Sequence, residues 1–212
     1  MSVKEEELTE EQKIHIAQLR RKFFRFVSIF SVFFTIVLLI VLRFTVYNYK
    51  SAQDYKKYIN HKDKFMRFNA AKALGKFKDD PESLIILHTM LRDSEKEVRW
   101  HAAASLSKIK SKLSSQHLLN AYNKEEDLSA KSIYIYALGQ IKDEKNIIFL
   151  EKILNDEKEN PLLRASSIQA LASYDSNITN SILKSFENKT KNIDLKRISI
   201  EMRLNKGLVK TD

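Results

Sequence analysis

The 212-residue chain has no cysteine, three glycines and two prolines. Without a thiol there is no disulfide, no thiolate ligand and no cysteine nucleophile, and the redox compartment is left open. So little glycine and proline argues against a turn-rich β fold. Acids are missing from residues 20–50, which hold Arg20, Arg21, Lys22, Arg25, Arg43 and Lys50. Catalytic signatures are missing too. The histidines His15, His61, His88, His101 and His117 form no HExxH or other close pair. His88 and His101, on successive helices, are the one pair placed to meet, and a zinc site there is not expected. No Gly-rich phosphate loop, nucleophile–base arrangement or apolar carboxylate pair is present. The expectation is no catalysis, no cofactor and no metal.

What is there begins with an apolar run. Val27 to Leu42 carries no charge over sixteen residues. At about 1.5 Å per residue this spans roughly 24 Å, and Phe23, Phe24, Phe26, Phe44, Val46, Tyr47 and Tyr49 extend it toward the roughly 30 Å of a bilayer core. The pattern predicts a transmembrane helix over residues 23–47, preceded by a polar tail over 1–22. The start is acidic (Glu5, Glu6, Glu7, Glu10, Glu11), and no small-x-small site follows the run, which is unlike a cleaved signal peptide. The anchor is therefore expected to be retained. Arg20, Arg21, Lys22 and Arg25 cluster on the N-side, which favours a cytoplasmic N-terminus and a C-terminal domain outside the cytoplasm.

Beyond residue 48 the chain repeats. Arg67, Arg99, Lys131, Arg164 and Arg197 recur at steps of 32, 32, 33 and 33, and seven residues after each stands Leu74, Leu106, Leu138, Leu171 or Leu204. A period in this range signals stacked supersecondary units. Val98, Ala102, Ser105 and Ile109 fall on one helical face, as do Met66/Ala70/Ala73/Phe77, Ala130/Tyr134/Ala137/Ile141 and Leu163/Ser167/Ala170/Tyr174. A second helix precedes each of these. Asp80-Pro81 and Asn160-Pro161 read as N-cap followed by proline at the first helical position. The prediction is an all-α chain: a single transmembrane helix, a linker helix over 48–62, an α-solenoid of about four to five helix pairs over 63–206, and a tail over 207–212. Residues 51–60 are the expected partner of the first inner helix.

The run from Asp93 to Leu106 (DSEKEVRWHAAASL), with Ala73-Leu74-Gly75 and Ala137-Leu138-Gly139, resembles the HEAT-like repeat typified by phycobilisome lyases. Departures are Ser107 for the pattern's glycine, Lys131 for its arginine, and Glu125 where the second copy has Asp93. The resemblance implies a helical repeat array, mostly used for binding; nothing outside the repeats resembles a bilin-lyase site.

The five register bases are expected to be a structural ladder, each paired with an acid or carbonyl of a neighbouring loop such as Asp93, Asp127 or Asp156. Glu125-Glu126-Asp127 reads as a solvated loop and helix start. The face of the inner helices opposite the core carries Asn69, Lys72 and Lys76, then His101 and Lys108, then Tyr136 and Gln140, then Gln169, flanked by Phe68 and Trp100. Aromatics beside polar groups are common interface anchors, so this stripe is the candidate groove for a protein partner in a membrane-associated assembly. The first repeat is rich in lysine (Lys56, Lys57, Lys62, Lys64, Lys72, Lys76, Lys78), which also suits contact with anionic lipid. A nucleic-acid binder and a chromophore-lyase-like factor are the alternatives. The first is disfavoured by 22 acids interspersed among the 29 bases of residues 51–212, the second by the missing catalytic cluster. The Lys-, Ile- and Asn-rich composition reads as bacterial.

Overall fold

The computed structural model describes residues 10–48 and 51–208. The expected tail residues 1–9, linker residues 49–50 and tail residues 209–212 lie outside the described residues. Every described element is helical, and the chain divides into two units, residues 1–50 and 51–212.

The first unit is one helix, α1 (Glu10–Asn48). Within Ile14–Val41 it is long and apolar enough to cross a membrane; an 18-residue window there has mean hydropathy 2.5, and none of that window is buried within the unit. Phe24, Ile29, Phe33 and Leu39 are all exposed. The polar pattern of residues 10–22 does not end the helix; it runs without a break into the apolar run.

The second unit begins with a 3₁₀ helix (Ala52–Tyr58), followed by α2 (Lys64–Leu74), α3 (Pro81–Met90), α4 (Lys96–Ile109), α5 (Ser115–Lys124), α6 (Leu128–Ile141), α7 (Ile147–Asn155), α8 (Pro161–Tyr174), α9 (Asn177–Lys189) and α10 (Ile193–Leu208). Inner helices stack in order, α2 on α4, α4 on α6, α6 on α8 and α8 on α10; α3, α5, α7 and α9 pack outside them. The 3₁₀ helix packs on α2 and α3 and so takes the outer position of the first pair. Within the expected linker helix of 48–62 the helical part is 3₁₀, Ala52–Tyr58, and α10 continues past residue 206.

Capping sets the boundaries. Asp80 accepts from the Glu82 N–H and Asn160 from the Leu162 N–H, each with proline at the helix start. The acids of the connecting turns act likewise: Asp63 accepts from Phe65 N–H and Asp127 from Ala130 N–H. Each satisfies a donor that the first helical turn leaves unpaired.

The core follows the period. Leu74, Leu106, Leu138 and Leu171 are 0 % exposed, whereas Leu204, in the last copy, is 56 % exposed. Each full burial of this kind contributes roughly 1.5–3 kcal/mol. Small residues set how close the inner helices come. A Cβ on Gly139 would lie 2.6 Å from Ala170 Cα, so α6 and α8 meet backbone to backbone. Met66 departs from the expected core stripe; at the start of α2 it is exposed.

Ser167 sits fully buried in α8 where earlier copies have Ala70, Ala102 and Tyr134, and among the described residues its Oγ has no hydrogen-bond partner. A buried hydroxyl without a partner costs on the order of 1 kcal/mol or more. Ser167→Ala should therefore raise stability by about 1 kcal/mol, or about 2–4 °C in Tm. Thermal unfolding checks it; a lower midpoint would mean the hydroxyl is satisfied.

Candidate functional site

The register bases occupy one edge of the array, each in the first turn of its inner helix. Arg67 Nε and Nη2 donate to the Asp93 carboxylate at 2.7 and 3.0 Å. Its Nη1 donates to the carbonyls of His61 and Lys62 in its own loop. Arg99 repeats this: Nε and Nη2 donate to Glu125 at 2.7 Å each, and Nη1 donates to the Asp93 and Ser94 carbonyls. Each arginine thus ties its own loop to the next repeat's loop through an acid 26 residues on. The bidentate fork adds directional strength to the charge.

Glu125 is not solvated, contrary to the expectation; it is 7 % exposed. Besides Arg99 it accepts from the Tyr134 hydroxyl at 3.0 Å and from the Glu126 and Asp127 N–H groups at 3.1 Å each. Burial alone would push its carboxyl pKa up, but these donors, Arg99 foremost, hold it below the usual value. Burial likewise pushes the Tyr134 hydroxyl up. Asp127, one of the acids expected to serve the ladder, pairs instead with Lys96 at 2.9 Å.

The ladder changes after two rungs. Lys131 Nζ lies over the Tyr122 ring, 5.1 Å from its centroid. Arg164 is buried, donates Nε to the Leu154 carbonyl at 3.0 Å and covers the Phe186 ring. Arg197 departs from the expectation: it is exposed, and among the described residues its guanidinium pairs with Asp194 on its own helix, at 3.5 Å. Arg203 makes the buried pair of the last repeat, with Glu187 at 2.8 Å. The reason is geometric. Arg67 and Arg99 pair forward into the loop of the following repeat, and among the described residues no repeat follows Arg197.

On the face of the inner helices, α2, α4 and α6 line a cleft of about 510 Å³. Lys72, Trp100, His101, Lys108, Tyr136 and Gln140, all on the expected stripe, meet there with Ala104, Ile133, Lys78 and Lys110. Phe68, Asn69, Lys76 and Gln169 do not line it. Phe68 instead stacks on His101, with centroids 5.0 Å apart and planes 18° from parallel, while Trp100 meets His101 edge-on at 5.0 Å. Asn69 and Gln169 are exposed on α2 and α8, and Lys76 is exposed in the turn after α2. Lys78 and Lys110 escaped the stripe because they stand in turns after α2 and α4. Their spacing of 32, continued by Lys142, was the available signal.

A second cleft, of about 760 Å³, opens where α3 and α5 meet the loops that hold Asp93 and Glu125. His88 and His117 stack within it, centroids 3.8 Å apart and planes 10° from parallel, and His88 Nε2 is 2.9 Å from Ser114 Oγ. His88 therefore meets His117 and not His101. Among the described residues no group of three or more His, Asp or Glu side chains is placed to hold a metal.

The family model for HEAT repeats matches the chain twice, over residues 55–134 and 90–172, together more than half its length. The chain belongs to the HEAT-repeat proteins. Comparison with curated proteins returns no match.

Proposed function

We propose that this HEAT-repeat protein is a single-pass membrane scaffold: α1 anchors it in the bilayer, and the repeat array docks a protein partner through its concave cleft, without catalysis. The observation that carries the docking half is the cleft itself, where three inner helices expose Trp100, Tyr136 and lysines around an open concavity. Stacked repeats present extended concave faces suited to this use. The anchoring half is supported by α1. Its apolar 18-residue window has no burial inside its own unit and needs an apolar environment from elsewhere, which a bilayer supplies. The N-side cluster of Arg20, Arg21, Lys22 and Arg25 favours a cytoplasmic N-terminus, with the array on the other side.

Crosslinking and pull-down from intact membranes, with protease access to the array, test both halves. Trp100→Ala/Tyr136→Ala should reduce partner capture at least fivefold while helicity stays unchanged, since buried aromatic anchors of this type contribute on the order of 1 kcal/mol or more each. Unchanged capture would remove the concave face from the proposal. Recovery of the full chain in the carbonate-soluble fraction would remove the anchor.

A further inference from the structure

The occupant of the concave cleft is constrained by which lysines already have an anion. Lys56, Lys64 and Lys96 are each ion-paired, to Glu82 at 3.1 Å, Glu95 at 3.3 Å and Asp127 at 2.9 Å. Lys72, Lys78, Lys108 and Lys110 converge on the cleft, and among the described residues none of these four is in an ion pair and no carboxylate lines the space. The floor registers that charge. His101 is disfavoured as a cation by burial first and then by the nearby Lys72 and Lys108. Apolar surface is present beside the charge, from Trp100, Ile133 and Tyr136, and the Gln140 amide adds a donor and an acceptor.

Shape decides between anionic partners. A bilayer presents headgroups on a broad surface, which does not follow lysines into a recess between three helices. A peptide segment does, and it brings side chains that fill apolar pockets as well as charge. We propose that the cleft accepts an acidic segment of a partner protein, with its carboxylates on Lys72, Lys78, Lys108 and Lys110 and an aromatic or aliphatic side chain against Trp100 and Tyr136. This rests on the docking reading and adds the chemistry of the partner to it. The chain's own acidic residues 5–11 have the right charge, but in a single-pass protein they lie across the bilayer from the array.

The test uses the full chain in phosphatidylcholine nanodiscs and a fluorescein-labelled Glu-rich peptide carrying two phenylalanines, with a counterpart in which every Glu is Gln. The Glu peptide should bind at least tenfold more tightly, about 1.4 kcal/mol. Lys72→Glu/Lys108→Glu should abolish the preference. Lys145→Glu/Lys158→Glu, the same charge change away from the cleft, should preserve it. No binding, equal binding of the two peptides, or equal loss in both variants overturns the inference. So does displacement of the peptide when phosphatidylserine replaces phosphatidylcholine, which would assign the lysines to lipid. A benzoylphenylalanine at position 136, activated in intact membranes, then separates the two levels. A crosslinked segment rich in Asp and Glu supports the inference. A crosslinked segment without them overturns it and leaves the docking reading standing, and no crosslinked protein overturns both.

Discussion

Glu125→Ala should lower the stability of the repeat unit by about 3 kcal/mol, the low end of the cost of breaking a buried ion pair from one side. The substitution leaves a guanidinium and a phenol without their acceptor, since Arg99 and Tyr134 both donate to this carboxylate. The cost stays at the low end because Arg99 keeps two loop carbonyls and its side chain is 19 % exposed, so water reaches it. At about 2–4 °C per kcal/mol for a domain of this size, the midpoint should fall by about 6–12 °C. Glu125→Gln, which keeps an acceptor oxygen but loses the charge, should fall between wild type and Glu125→Ala. Adding Arg99→Leu to Glu125→Ala should cost less than the sum of the single changes, because the second change removes the cation the first stranded. Strict additivity would mean the pair is not coupled. The pH dependence has a definite sign. The Glu125 pKa is lowered in the folded state, so its contribution is complete above the unfolded carboxylate pKa of about 4.3 and is lost only as the pH falls through the lower folded value.

A second loss of stability should set in at milder acidity, from His88. Burial first, and the facing His117 second, lower its pKa from 6.5 to about 4. The folded state therefore binds fewer protons than the unfolded chain between those values, and stability drains away as the pH falls from 6.5 toward 4. With allowance for the ring's partial exposure, the loss amounts to about 2 kcal/mol. Arg92, Asp93, Arg99, Glu125 and Glu126 line the same cleft, so the measurement belongs between pH 7 and 5, above the titration of the acids. His88→Phe keeps a ring against His117 but cannot titrate. It should unfold at a nearly constant denaturant midpoint over that interval, although it gives up the Ser114 contact and starts lower. A wild-type slope that survives in His88→Phe would place the acid response elsewhere.

Much of this molecule can be read from its periodicity. The 32–33-residue step, the leucine seven residues on and the proline-marked helix starts give an all-helical repeat array, because each depends only on spacing along the chain. Side-chain partners were harder to read. The sequence offers Asp127 and Glu125 to Arg99 on nearly equal terms, and only the loop geometry picks Glu125. Yet Arg67–Asp93 and Arg99–Glu125 share one separation, so the apparent departure from Asp to Glu is a longer acid in the same place. The His88–His117 stack was out of reach, since 29 residues is off the repeat period and the contact depends on how two outer helices turn their faces. The cleft was half legible. Positions on the inner helices followed from helical phase, whereas Lys78 and Lys110 lie in turns, where phase is lost.

The two arginine rungs also have a mechanical consequence. Repeats joined mainly to their neighbours behave as a chain of springs in series. The joints spanned by Arg67–Asp93 and Arg99–Glu125 are cross-braced by ion pairs between loops, while the joint between α6 and α8 is braced by hydroxyls, Ser132 to Ser166 at 2.8 Å, Ser173 to the Gly139 carbonyl at 2.6 Å and Tyr174 to the Asp143 carbonyl at 2.7 Å. A load is therefore shared along the braced joints, ionic in the first two and hydroxyl-based in the third.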